Sequence, residues 1–306
     1  MFPIVPVNQE IAEAVEPLGT KRKFWFNRAP RQRLLFKAEE RGTGEDWAEK
    51  LACELCEKLG LPHVHYDLAE EERTRKPGVV CKTFTPAPRA LVLGNQLLLD
   101  RDGNYPAEDG RKYKVREHTV DAVAEVIAAL ELPPPEFAGD LPDEISTALD
   151  VWIGYVLLDA WIANQDRHHE NWGAIRDGDR LLLAPSFDHG ASLARNLTDE
   201  ERKDRLVTRD ANRQIPKFVR RARSAFYSQA TDEKPLPTFD AWMAFARKSQ
   251  LAASAWLERL RAVAYNEVDQ LLKEVPPSRM SKICREFTQQ LLNQNQRRLL
   301  EEGLHG

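Results

Sequence analysis

The sequence predicts an α+β protein of two lobes, with a small mixed N-terminal lobe and a larger, mainly helical C-terminal lobe. Short strand-like runs alternate with a single helical pattern as far as Thr85. From Thr119 onward, apolar residues recur at the helical period of about 3.6 residues. The character of the chain changes near Pro88, where prolines interrupt regular structure. We therefore predict an N-terminal lobe of residues 1–87 and a C-terminal lobe of residues 88–306.

The composition excludes several classes of protein. With 306 residues and 42% hydrophobic content, the chain can bury a large core. The net charge of −4, from 44 basic and 48 acidic residues, argues against a surface built for direct nucleic-acid binding. Met1–Val7 lacks the pattern of a secretory signal, and the longest apolar run, Val151–Ala163, falls short of the ~20 residues that cross a bilayer. Four cysteines are too few for a disulfide scaffold, so we expect a cytoplasmic protein.

The N-terminal lobe is predicted as strand, helix, strand and strand. These elements cover residues 34–37, 46–59, 64–68 and 79–84. Apolar and small residues form one stripe along the helix at Trp47, Leu51, Ala52, Leu55 and Leu59, and Gly60 follows as a stop signal. Cys53 and Cys56 form a Cys-x-x-Cys pair inside this helix. Because no strand ends just before them, we favour a packing role over a redox or zinc role.

The C-terminal lobe is predicted to hold a buried helix followed by a hairpin. An amphipathic helix over residues 120–130 ends at consecutive prolines. The next helix, from Ile145 to Trp161, is apolar over more than half its circumference and should be central to the lobe. Strands at 172–175 and 181–183 flank an Asp-Gly turn, which predicts a β-hairpin. Helical patterning resumes at about Phe239.

Three polar residues around this hairpin carry the predicted chemistry. Asp166 and Asn171 lie on the loop after the buried helix, and Asp188 follows the second strand. An isolated Asp and Asn at this spacing is common in loops, because both residues satisfy turn backbones. Here the hairpin should return the chain to its starting point. Phosphoryl transfer needs a carboxylate beside the attacking hydroxyl and oxygen ligands for Mg²⁺. The sequence therefore predicts an ATP- and Mg²⁺-dependent phosphotransferase with a protein-kinase-like fold.

Two motifs resemble those of the HipA-like serine/threonine kinases. The motifs are Asn164-x-Asp166-Arg167-His168-x-x-Asn171 and Leu183-Ala184-Pro185-Ser186-Phe187-Asp188. The catalytic loop is also similar to that of phosphatidylinositol kinases, but the Leu-Ala-Pro sequence favours the HipA-like family. Across residues 19–190, the motifs that resemble this family follow one another in the same order as in the family. This resemblance implies that Asp166 is the catalytic base, that His168 braces the loop, and that Asn171 and Asp188 bind Mg²⁺.

The resemblance also implies contacts with ATP. Lys37 would hold the nucleotide phosphates with Glu49 as its ion-pair partner, and Glu45 is the rival for that role. The phosphate loop would use Gly19, Thr20, Lys21 and Lys23, although one glycine followed by basic residues is equally typical of a solvated turn. The adenine ring would meet Cys81, Lys82, Thr83 and Phe84. Glu170 departs from the family, where a lysine is common.

The acceptor and the partners are less constrained by the sequence. The segment 195–223 holds ten basic and five acidic residues, which indicates either a solvated face or a surface for an acidic or phosphate-bearing partner. The resemblance implies a protein substrate, with a translation-related, tRNA-associated protein and a toxin-type role as one option, and an antitoxin or regulator as partner. A lipid or small-molecule kinase and a non-catalytic nucleotide-binding regulator are the alternatives. The regulator would require the loss of one of Lys37, Asp166, Asn171 and Asp188, and all four are present.

Overall fold

The computed structural model describes residues 1–15, 22–29, 32–107 and 114–303. A β-sheet with one helix forms the N-terminal lobe, and helices dominate the C-terminal lobe. The predicted two-lobed α+β fold is therefore confirmed. No helix in the described ranges combines the length and the apolar character needed to span a bilayer.

Six strands form the sheet of the N-terminal lobe. They are β1 (Ile4–Val7), β2 (Ala12–Val15), β3 (Lys23–Ala29), β4 (Gln32–Ala38), β5 (Tyr66–Glu71) and β6 (Pro77–Lys82). Their order across the sheet is β1-β5-β6-β4-β3-β2. The first strand pairs in parallel with β5, and the other neighbouring pairs are antiparallel. Alternation along β4 places Leu35 in the core between the sheet and the helix, whereas Phe36 packs on the opposite face.

Helix α1 (Glu45–Leu59) packs against this sheet and has glycines at both ends. Gly44 precedes it with φ of 87°, and Gly60 closes it in the left-handed conformation, donating from its N–H to the carbonyl of Cys56. A Cβ on Gly44 would lie 1.8 Å from Nε1 of Trp47. Glycine at position 44 therefore sets the angle at which the chain enters the helix.

A three-stranded sheet and ten helices form the rest of the described chain. The strands are β7 (Ala90–Leu93), β8 (Gly173–Asp177) and β9 (Arg180–Leu183), in the order β7-β8-β9. The helices are α2 (Gly94–Arg101), α3 (Val120–Ala128), α4 (Pro135–Ala138), α5 (Ala148–Ile162), α6 (Asp199–Val207), α7 (Ile215–Val219), α8 (Thr238–Ala246), α9 (Gln250–Ala262), α10 (Tyr265–Glu274) and α11 (Lys282–Glu302). The β8–β9 hairpin agrees with the sequence prediction, but β1, β2, β3, β7, α2, α4, α6 and α7 were not predicted.

Helix α5 is the centre of the C-terminal lobe and is buried on all sides. Its N-cap Thr147 accepts a hydrogen bond from the N–H of Asp150, whose carboxylate caps Thr147 in return. Trp161 is fully buried and donates from Nε1 to the carbonyl of Leu292 at 3.2 Å. Truncating a tryptophan packed in this way costs about 3–5 kcal/mol, so α5 is a rigid base for the loop that follows it.

The two glycines before α1 provide a test of its N-terminal geometry. Gly42 and Gly44 both have positive φ, but only Gly44 is packed against Trp47, whereas space around Gly42 is open. Gly44→Ala should lower the free energy of unfolding by roughly 1–3 kcal/mol more than Gly42→Ala, because the new methyl group must displace the indole. Chemical denaturation of both variants measures the difference. Equal losses would show that backbone strain alone decides the effect.

Candidate active site

Asp166 and Asn171 lie on the loop between α5 and β8. The helix ends at Ala163, which adopts the left-handed conformation with φ of 53° and turns the chain. The amide nitrogen of Asn171 donates to the backbone carbonyl of Asp166 at 2.6 Å. Because this bond uses the nitrogen, Oδ1 of Asn171 is the atom that can ligate a cation. The Asp166 side chain is 22% exposed and therefore accessible from the cleft.

A buried ion pair fixes this loop to α5. Arg167 donates from Nε and Nη2 to the two carboxylate oxygens of Asp159, each at 2.8 Å. Both side chains are almost fully buried. Burial alone would lower the pKa of Arg167, but Asp159 outweighs that effect and raises it, so the guanidinium stays charged. Asp159 also accepts a hydrogen bond from the Asn164 amide at 2.8 Å.

The same arginine reaches the segment that returns from the hairpin. Its Nη1 donates to Oγ of Ser186 at 3.0 Å, and Ser186 Oγ lies 2.7 Å from Nε2 of His189. The backbone N–H of Ala184 donates to the carbonyl of Gly173 at 3.0 Å, which closes the base of the hairpin. The Asp166–Asn171 loop and the segment leading to Asp188 are therefore held side by side, as the sequence predicted.

Lys37 on β4 makes an ion pair across the cleft with Asp188. Its Nζ lies 3.3 Å from Oδ1 of Asp188 and 3.2 Å from the hydroxyl of Tyr66. Burial would lower the pKa of Lys37, but Asp188 and the other surrounding groups raise it well above its usual value. Asp188 itself has φ of 60°, a left-handed conformation that aspartate adopts more readily than most residues. The sheet and the hairpin thus present opposite charges to one space.

The position of Glu49 corrects the ion pair that the resemblance implies. Among the residues that the structure describes, no hydrogen bond or ion pair joins Glu49 to Lys37, although their charges interact. Glu49 instead accepts hydrogen bonds from the backbone N–H groups of His189 and Gly190, at 2.8 and 3.1 Å. Burial would raise the pKa of Glu49, but the His189 hydrogen bond and the charge of Lys37 lower it. Glu49 is therefore an ionised support for the turn that follows Asp188.

Glu45, the rival for that role, faces another residue. Its carboxylate forms a buried ion pair with Arg195, which also donates to the hydroxyl of Thr43. This contact ties the first turn of α1 to the C-terminal lobe. The reason for the difference is that Glu45 and Glu49 are one turn apart on the helix and therefore meet different parts of the segment after the hairpin.

The two histidines of the loop have different neighbours. Nδ1 of His168 accepts a hydrogen bond from the N–H of Glu170 at 3.1 Å, and its Nε2 lies 3.8 Å from Oδ1 of Asp166. His169 lies 2.8 Å from the hydroxyl of Tyr105 through Nδ1. Each of the two rings therefore has its own polar partner.

The residue after Asn171 is anchored in the core. Trp172 donates from Nε1 to Nε2 of His118 at 3.1 Å, and Nδ1 of His118 faces the carbonyl of Ala225 at 2.9 Å. Burial lowers the pKa of His118 to about 3, so the ring is neutral and can accept from Trp172. The sequence analysis did not identify His118. Asp159 was also missed, although an acidic residue inside an apolar helix is a visible signal.

The predicted nucleotide contacts are only partly described. Gly19, Thr20 and Lys21 lie outside the described residues. Lys23 is on β3, where it pairs in register with Lys37 on β4. This places a second lysine on the neighbouring strand, next to the predicted phosphate contact.

The predicted adenine segment lines a cavity between the lobes. The cavity has a volume of about 880 Å³, and its lining includes Cys81, Lys82, Thr83 and Phe84. It does not include Lys37 or the three polar residues of the loops, so it is distinct from the space between them. Phe84 stacks on Phe187 at a centroid distance of 5.5 Å. This contact joins the end of the N-terminal sheet to the residue before Asp188.

The buried ion pair can be tested against an exposed one. Arg167→Met should lower the free energy of unfolding by about 3–5 kcal/mol, because it leaves the Asp159 carboxylate buried without its partner. Adding Asp159→Asn should recover part of the loss, and urea denaturation of the double-mutant cycle measures this. Arg180→Met, which breaks the exposed pair with Glu131, is the control and should leave stability nearly unchanged. Additive losses at Arg167 and Asp159 would contradict the assignment.

The fold is shared with two solved kinase structures. The proinflammatory kinase CtkA of Helicobacter pylori has a TM-score of 0.71 and 20% identity, over 97% of this chain and 96% of that one. HipA of Shewanella oneidensis MR-1, from a toxin–antitoxin complex with HipB and operator DNA, has a TM-score of 0.56 and 14% identity, over 94% and 67%. No family model and no curated protein matches the sequence. The chain therefore has the kinase-like fold of CtkA and HipA, in agreement with the resemblance of its motifs.

Proposed function

We propose that this chain is an ATP- and Mg²⁺-dependent kinase that transfers a phosphoryl group to a hydroxyl acceptor. The observation that carries the proposal is the ion pair between Lys37 of the sheet and Asp188 of the hairpin return. The two side chains lie in the same cleft, beside the loop that bears Asp166 and Asn171, where Lys37 would bind phosphate oxygens and Asp188 would bind Mg²⁺. Phosphoryl transfer depends on this kind of positioning and charge stabilisation.

The residues present fit a magnesium ion. Mg²⁺ prefers oxygen ligands, and Asp188 offers a carboxylate that is 30% exposed. Asn171 offers Oδ1, since its amide nitrogen is bound to the carbonyl of Asp166. When bound, the ion would neutralise charge on the phosphates. Asp188 and Asn171 would hold it, and Glu49 would keep Asp188 in place through the backbone of the next two residues.

Asp166 is the proposed general base. Its carboxylate is accessible. Asn171 donates to the backbone carbonyl of Asp166, and the backbone N–H of Asp166 donates to Oδ1 of Asn164 at 3.1 Å, so the backbone is held on both sides. It would accept the proton of the attacking hydroxyl as the new bond to the γ-phosphorus forms and the bond from that phosphorus to the leaving oxygen of ADP breaks. His168, next to Asp166 Oδ1, would position this carboxylate. Lys37 would bind phosphate oxygens of ATP and, with its raised pKa, would remain protonated.

The proposed acceptor is a serine or threonine hydroxyl of a protein. We extend the proposal to a toxin-type role, with a translation-related, tRNA-associated protein as substrate and a small antitoxin or regulator as partner. The support is the motif resemblance together with the likeness to HipA, which was solved with HipB. The four cysteines are free and buried, which favours a reducing compartment such as the cytoplasm.

The basic segment 195–223 contributes less free charge than its composition indicates. Most of its arginines bind partners within the chain: Arg195, Arg202, Arg205, Arg213, Arg220, Arg221 and Arg223. Arg220, for example, forms an ion pair with Glu302 of α11. Four of these contacts are ion pairs with carboxylates, and the other three are hydrogen bonds to backbone carbonyls, so they favour the interpretation as a solvated face that is partly neutralised. We therefore do not assign acceptor binding to this segment.

Asp166 and Asp188 have separable roles. Asp166→Asn should lower phosphoryl transfer by about 10²–10⁴-fold while ATP still binds, because only proton transfer is removed. Asp188→Asn should in addition weaken Mg²⁺-dependent ATP binding. ADP formation with casein as acceptor measures transfer, and calorimetry measures binding. Asp179→Asn, at the exposed tip of the same hairpin, is the matched control. A transfer rate within about threefold of wild type for Asp166→Asn would refute the assignment.

Glu49 should act through the turn after Asp188. Glu49→Ala and Asp188→Asn should therefore be non-additive in their effects on Mg²⁺-dependent ATP affinity, with a coupling energy above about 0.5 kcal/mol. Glu54→Ala, on the same helix but paired with Lys50, should be additive with Asp188→Asn. A double-mutant cycle from titration calorimetry gives both values. Additivity at Glu49 and Asp188 would mean that the two hydrogen bonds to the turn have no role in metal binding.

A further inference from the structure

A cysteine and two histidines converge at the end of α1, outside the candidate active site. Cys53 is on α1, and His63 and His65 lie in the segment that leads into β5. One ligand atom from each residue lies within 4.8 Å of the others. Cys53 is buried, His63 is half-buried and His65 is exposed at the surface. The cluster arises from tertiary structure, since His63 comes ten positions after Cys53 in the sequence.

Hydrogen bonds orient both imidazole rings towards the cysteine sulfur. Nδ1 of His63 lies 2.7 Å from the carbonyl of Leu61, so it carries the proton and leaves a lone pair on Nε2. This Nε2 atom is buried and makes no hydrogen bond within the described part of the chain. Nε2 of His65 lies 3.2 Å from Oδ1 of Asp67, and its Nδ1 lies 3.7 Å from Sγ of Cys53. A carboxylate behind a histidine is the usual arrangement around metal-binding imidazoles.

The cysteine sulfur also accepts a hydrogen bond from the backbone. The backbone N–H of Tyr66 donates to Sγ of Cys53 at 3.4 Å. The nearby ammonium of Lys50 is neutralised by Glu54 at 2.7 Å and Asp67 at 3.2 Å, so it does not leave a free positive charge beside the cluster.

We propose that Cys53, His63 and His65 bind one divalent metal ion of the zinc class. Thiolate and imidazole ligands suit Zn²⁺, with bonds of about 2.3 Å to sulfur and about 2.0–2.1 Å to nitrogen. Neighbouring ligands around such an ion are then roughly 3.3–3.6 Å apart by tetrahedral geometry. The Cys53–His65 separation of 3.7 Å needs only a small contraction to reach this range.

The fourth position faces a carboxylate and an open cavity. Oε1 of Glu57 lies 3.5 Å from Nε2 of His63. Glu57, His63 and His65 line the cavity of about 880 Å³ between the lobes, which gives an ion and a water molecule a path to the site. The fourth ligand is therefore Glu57 or a water molecule held by it.

The bound ion would fasten α1 to the start of β5. Cys53 is one helical turn after Glu49, which supports the turn following Asp188. His65 directly precedes Tyr66, whose hydroxyl contacts Lys37. Metal binding would thus hold the helix and the strand that position the two charged groups of the cleft. The binding site itself does not depend on the proposed kinase activity.

Metal titration of the reduced full chain tests the proposal. After removal of metal with a chelator, wild type should bind one equivalent of Zn²⁺ in competition with a chromophoric chelator. Co²⁺ in its place should give the absorption of a tetrahedral ion and a thiolate charge-transfer band. Cys53→Ala and His65→Ala should abolish the band and weaken Zn²⁺ binding by at least about 100-fold. Asp67→Asn, which removes the carboxylate behind His65, should weaken it by about 10–100-fold.

Cys56→Ala is the matched control, because Cys56 is equally buried on α1 but is not part of the cluster. It should bind Zn²⁺ and Co²⁺ like wild type. His65→Ala avoids a folding defect, since the side chain is 57% exposed. Zn²⁺ binding by wild type no tighter than by Cys53→Ala or His65→Ala would overturn the proposal. The three groups would then form only a thiolate–imidazolium cluster.

Discussion

The buried ion pair between Arg167 and Asp159 is the interaction on which the rest of the candidate site depends. Two charges removed from water are costly unless each finds well-oriented partners, and this pair is bidentate, with further bonds to Asn164 and Ser186. The same guanidinium therefore holds helix α5, the loop of Asp166 and the return of the hairpin in one arrangement. The ion pair fixes the geometry of the site. It adds little to the stability of the fold, because two apolar side chains of similar volume would pack there without a desolvation cost.

A second support approaches the same segment from the N-terminal lobe. Glu49 binds the backbone just after Asp188, whereas Arg167 binds Ser186 just before Phe187. The left-handed conformation of Asp188 is thus fixed from both lobes, and its carboxylate is directed at Lys37. Strained backbone persists where the surroundings determine it from several sides. This explains why a short turn can hold a charged group at a defined place in an open cleft.

Strong local patterns made much of this predictable from the sequence. Three of them were the stripe on α1, the apolar run of α5 and the Asp-Gly hairpin. They predicted the two lobes and the closeness of the loops that bear Asp166 and Asp188, because periodicity and turn chemistry act over a few residues.

Strand β1 was missed because it contains Pro6 and pairs in parallel with residues 68–71, a contact with no local signal. The same limit explains two further omissions. The partner of Glu49 is a turn 140 residues away, and the cluster around Cys53 also forms only in the tertiary structure. Charge counting left both interpretations of the segment 195–223 open, since it cannot show which arginines bind partners within the chain.

The attachment of α1 determines how the two lobes can move. Its first turn is joined to the C-terminal lobe by Glu45 with Arg195 and by Asp46 with Arg279, and all four side chains are largely buried. Near its other end, Lys58 pairs with Glu267 of α10. Opening of the cleft would therefore carry α1 along with the helical lobe as one rigid body. The same Arg279 also donates to the carbonyl of Ala69 on β5 at 3.0 Å, so this part of the sheet is joined to that body as well.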